Sequence, residues 1–125
     1  MFRIKQRNVD AFVAHEEREF EGRVVQRLRD NFDGMRGKGD EELRAFVRLG
    51  RERAARYDIR SPYGISLFVG IMAEIGEDFD ESGAYPWATE LLHNPNLSGN
   101  ARVECVCDQA LEIKAAARAT AQGEG

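Results

Sequence analysis

The side chains best placed to do chemistry in this chain are carboxylates. Asp78-Phe79-Asp80-Glu81-Ser82-Gly83 supplies oxygen ligands and a glycine where the first half of a calcium-binding helix–loop–helix needs them. The second half fails: the closing position, which takes a bidentate Glu, holds Thr89, Glu90 comes one residue late, and Pro86 diverts the loop. His15-Glu16-Glu17-Arg18-Glu19 starts like a helical zinc-protease motif but lacks its second histidine, and His93 is the only other one in the chain. Cys105 and Cys107 have no zinc-knuckle spacing. On one helix they would point about 200° apart, which opposes a disulfide between them. Cys107 is expected as a small core residue and Cys105 as a surface thiol. Gly37-Lys38 lies in a glycine loop without phosphate-loop spacing, after a helix where a strand is required. Gly64-Ile65-Ser66 does not continue into a nucleophile elbow, since Phe68 stands where glycine should. No catalytic residue, cofactor-binding residue or metal ligand is therefore assigned. The expectation is a non-enzymatic protein that binds another protein.

Charge distribution says more than the net value of −4. Residues 36–60 carry eight Arg/Lys against five Asp/Glu, whereas residues 61–100 carry six acids and no Arg or Lys. Such polarity has two readings: the basic helix packs beside the acidic loop of its own fold, or each patch faces a partner. An acidic balance opposes general nucleic-acid binding, which is driven by phosphate neutralisation.

At 125 residues the chain fits one domain, taken as 1–125, long enough to bury a core without disulfides or metal. The apolar run Ile65 to Ile75 is too short to span a bilayer and contains Glu74. Met1-Phe2-Arg3-Ile4-Lys5 does not lead into a signal-peptide core, so the cytoplasm is the expected compartment.

The elements that position these residues are all helical. Val9, Phe12, Val13, Phe20, Val24 and Leu28 predict a helix over 6–32, bending or changing partner at Gly22. A glycine loop follows, and Asp40 is placed to cap a helix over 41–57 with Leu43, Phe46, Val47, Gly50, Ala54 and Tyr57 on one face. Gly50 and Ala54 would let a neighbour approach closely. Ser61-Pro62 starts a helix over 62–75 that is apolar over more than half its circumference and is the expected centre of the core. A short helix over 86–92 and a last one over 99–120, capped by Ser98 or Asn100, complete a compact bundle of five. The last helix carries Val103, Val106, Cys107, Ala110, Ile113 and Ala117 on its core face, and the tail from Ala121 should fray. Phe79, Tyr85 and Trp87 are expected to plug the open end of the core.

Several segments, in order, form a recognisable pattern. Gly50-Arg51-Glu52-Arg53-Ala54-Ala55-Arg56-Tyr57-Asp58-Ile59 and Phe68-Val69-Gly70-Ile71-Met72 come first. Ile75-Gly76-Glu77-Asp78-Phe79-Asp80, Tyr85-Pro86-Trp87-Ala88 and Asn94-Pro95-Asn96-Leu97-Ser98 follow. The pattern, spanning roughly residues 8–115, resembles small all-helical proteins encoded beside bacterial type VI secretion genes for spike and effector proteins. One departure is Asp58, where that group usually has glycine. The resemblance implies an adaptor, chaperone or immunity protein whose partner is a cognate effector or spike component. Two surfaces are candidates for that contact: Glu77, Asp78, Asp80 and Glu81 with Tyr85 exposed beside them, and Arg44, Arg48, Arg51 and Arg56 on the solvent side of the second helix. The alternatives are a small enzyme, which needs a polar pocket, and a regulatory nucleic-acid-binding domain, which needs a continuous basic face.

Overall fold

A computed structural model describes residues 6–123, and the side chains of residues 14–120. The expected core positions Val9, Phe12 and Val13 and the tail from Ala121 lie outside the described side chains. The described residues form five α-helices and no strand, as expected of an all-α chain. They are α1 (Gln6–Asn31), α2 (Asp40–Ala55), α3 (Pro62–Ile75), α4 (Pro86–Leu92) and α5 (Gly99–Gly123), with a 3-10 turn at Asp33–Met35. The chain divides into two units, 1–48 and 49–125.

In the first unit, Val24 and Leu28 of α1 and Leu43 and Val47 of α2 are buried at the helical spacings expected, and Val25, outside the expected stripe, is buried with them. Arginines clip the connection between the helices: Arg36 Nε donates to the Arg29 carbonyl (3.0 Å) and Arg29 Nη2 to the Lys38 carbonyl (3.1 Å). Asp40 is the first residue of α2 and not a flanking cap; its carboxylate accepts from Arg44 Nε one turn on, at 2.8 Å.

The second unit is built around α3. Ser61 Oγ accepts from the Gly64 amide (3.0 Å), Pro62 occupies the first helical position, and Gly76 at φ 136 ends the helix. Phe68 and Val69 are fully buried and Met72 is 2% exposed. Burying side chains of this size contributes about 1.5–3 kcal/mol each. A Cβ on Gly50 would lie 2.5 Å from Val69 Cγ2, so α2 and α3 approach as closely as the small residues Gly50 and Ala54 predict.

Helix α2 stops at Ala55, two residues before the expected Tyr57, because the chain turns left-handed. Asp58 has φ 61, and the Tyr57 and Ile59 amides both donate to the Ala54 carbonyl (3.0 and 3.1 Å). The start of α5 crosses directly over this turn. A Cβ on Gly99 would fall 1.9 Å from the Asp58 carbonyl oxygen, so only glycine fits there. Arg102 fastens the crossing by donating to the carbonyls of Tyr57 (2.9 Å) and Asn94 (3.0 Å). Ser98 caps α5 through its Oγ (Ala101 amide, 3.2 Å), while Asn100 Oδ1 accepts from Ser61 Oγ (2.8 Å).

Contacts Ser61–Asn100 and Glu74–Lys114 (2.6 Å) show α3 and α5 running parallel. Val103 and Val106 are buried, but the core stripe expected to include Ile113 and Ala117 ends early: Ile113 is 45% exposed and Ala117 is exposed. Lys114 meets α3 at its last turn, and α5 then runs on past the end of that helix.

Candidate protein-binding surface

The acidic loop after α3 is held from below by α2. Phe79 is fully buried and packs against Phe68 with ring centres 5.0 Å apart. Its neighbour Asp80, 2% exposed, also points inward, so it contributes nothing to an outer surface. Tyr57 Oη donates to Asp80 Oδ2 at 2.7 Å. The other carboxylate oxygen, Oδ1, has no hydrogen-bond partner, and Arg53 Nη1 lies 3.7 Å from it. Burial, the hydrogen bond to Asp80 and the Asp80 charge, in that order, push the Tyr57 phenol well above its ordinary range.

Arg53 does more than approach Asp80. Its Nη1 donates to the Glu77 carbonyl (2.7 Å) and its Nη2 pairs with Glu81 Oε2 (2.8 Å). Arg56 Nη1 donates to the other oxygen of Glu81. Two guanidiniums thus converge on one carboxylate. Leu49, Arg53, Arg56, Glu77, Asp78 and Glu81 line a cleft of about 510 Å³. For these residues the internal reading of the charge polarity is the observed one: the basic end of α2 packs beside the acidic loop.

Structure divides the basic patch proposed from sequence. Arg56 belongs to the cleft just described, whereas Arg44 and Arg48 surround a buried acid of the first unit, Glu21 (3% exposed). Arg48 Nε donates to both Glu21 oxygens (2.9 and 3.3 Å), and this bond and charge raise its pKa. Arg44 Nη1 stands 4.0 Å from Glu21 Oε1 and donates to the Arg18 carbonyl at 3.1 Å. Arg51 is half-buried and not free. Of the acidic candidates, Glu77, Asp78 and Glu81 are exposed. Tyr85 is half-buried; its Oη donates to the Ile75 carbonyl (3.0 Å) and its ring meets Trp87 edge-on at 6.1 Å.

Sequence reasoning missed Arg53, Tyr57 as a polar group, and Glu21. The usable signal was Arg53 and Tyr57 four residues apart in the helix expected over 41–57, with a loop of four acids in five residues further on. The calcium-like half motif is spent on packing: Asp80 bonds Tyr57, and Ser82 Oγ accepts from the Ala84 amide (3.2 Å). Among the described residues no group of three or more His, Cys, Asp or Glu side chains could hold a metal ion. His15 is exposed and lies 3.8 Å from Glu19. Cys105 and Cys107 are free and both half-buried; burial, then the Asp108 charge, raises the Cys107 thiol pKa.

No helix among the described residues is long and apolar enough to cross a membrane. Comparison with known proteins returned no match: no family model, no curated protein and no solved structure matches this chain.

Proposed function

We propose that this is a cofactor-free, non-enzymatic protein-binding component of a bacterial type VI secretion locus. It engages a cognate effector or spike protein in the cytoplasm as an adaptor, chaperone or immunity protein. One observation carries the binding reading. Of the six acids between residues 61 and 100, Glu74, Asp80 and Glu81 are taken up by Lys114, Tyr57 and the pair Arg53 and Arg56. Glu77, Asp78 and Glu90 are exposed and make no ion pair among the described residues. Exposed carboxylates that make no ion pair leave a negative charge that can steer a complementary partner.

The locus assignment rests on the resemblance alone, and the one departure from that pattern falls at a left-handed turn. Asp58 adopts the left-handed φ of 61 that a glycine would take there, so the turn is kept although the residue differs. The free thiols Cys105 and Cys107 suit a reducing compartment. Co-expression with the spike and effector proteins of the neighbouring genes tests the proposal. A stoichiometric complex that survives gel filtration is expected; absence of a complex with every one of them sinks it.

A further inference from the structure

We propose that the groove between the acidic loop and α4 docks a basic, aliphatic segment of the partner, a lysine or arginine stem lying along its walls with the cation at its acidic rim. This rests on the protein-binding reading above. The groove, about 450 Å³, is lined by Gly83, Pro86, Thr89, Glu90 and His93. A volume at the small end of the range for ligand sites suits a few side chains.

Its lining is mostly apolar. Its one charged lining residue is the exposed carboxylate of Glu90. Lysine and arginine are the side chains that bury an apolar stem and keep a cationic tip at the edge, so they match this combination better than a purely apolar or an acidic guest. No Lys or Arg occurs from residue 61 to 100, the stretch that supplies every residue lining the groove.

The groove is also held in shape before any partner arrives. Ala88 and Leu92 root α4 in the core, fully buried. Thr89 Oγ1 donates to the Asp80 carbonyl (3.4 Å), tying the helix to the loop, and the His93 ring meets the Tyr57 ring edge-on at 5.4 Å. A site ordered in advance loses less entropy on binding.

Titrating the isotope-labelled full chain with a short amphipathic leucine–lysine peptide, followed by NMR amide shifts, tests the proposal. Saturable shifts should centre on Gly83, Thr89, Glu90 and His93, and a leucine–glutamate peptide should give none. Glu90→Lys should weaken the affinity by at least about tenfold, while Glu104→Lys, the same charge change on exposed α5, should move it less than about twofold. Equal loss in both variants, shifts centred elsewhere, or equal binding of the acidic peptide would overturn the groove. So would binding of spermine in place of the peptide. A spike or effector complex that Glu90→Lys leaves intact removes the groove yet keeps the protein-binding reading; no complex at all removes that reading.

Discussion

Helix α2 helps to bury two acids in two different ways. Glu21 is met by charge: Arg48, whose side chain is 52% exposed, donates to both its oxygens from the solvent side. Asp80 is met chiefly by a neutral phenol inside the core, with a guanidinium 3.7 Å from its second oxygen. A cation at the boundary keeps part of its own hydration and is easily replaced by water. A buried phenol and a nearly buried arginine cannot be, so the charge on Asp80 should depend more on each remaining neighbour. That region also carries the loop whose outer face is proposed to bind.

The comparison is broken most severely at Arg53. Arg53→Met removes the Glu81 pair, the bond to the Glu77 carbonyl and the cation 3.7 Å from Asp80 Oδ1, and should cost about 3–5 kcal/mol in urea unfolding. Tyr57→Phe leaves Asp80 Oδ2 buried without its donor and should cost about 1–3 kcal/mol. Because the phenol titrates above its ordinary value in the folded chain, its contribution is whole below about pH 10 and is lost as pH climbs through the raised value. Wild type should therefore lose stability on the alkaline side that Tyr57→Phe does not lose.

Arg48→Ala should cost less than either substitution. Its penalty should shrink in about 1 M salt, where the Debye length is about 3 Å, while that of Arg53→Met persists. If Arg48→Ala proves the more damaging change, the contrast between the two acids is wrong. The smallest effect expected is a gain: Asp58→Gly relieves a left-handed residue and should raise stability by roughly 0.5 kcal/mol, read from the same unfolding curves.

Local signals carried most of the fold. Ser61-Pro62, Gly76 and the apolar stripe between them announce α3, and they do so because caps and spacing act within one turn. The end of α2 was harder to place, since its left-handed turn sits at an aspartate and is fixed by the crossing of Gly99, forty-one residues on. Ile113 was assigned to the core because periodicity cannot report where the neighbouring helix stops. At the surface, composition exposed the charge polarity but not its pairing. Which acids find a partner depends on Arg53 and Arg56 reaching across a gap of more than twenty residues, and Asp80 differs from Asp78 only in facing the other side of the loop.

Calorimetric titration of the neighbouring spike or effector protein into this chain, beside Glu77→Lys/Asp78→Lys and Arg44→Glu, tests the central claim most directly. Saturable binding that the acidic-loop variant weakens at least about tenfold, with a smaller change for Arg44→Glu, is the predicted result. Binding that ignores both variants, or no heat of binding between two folded proteins, would contradict it.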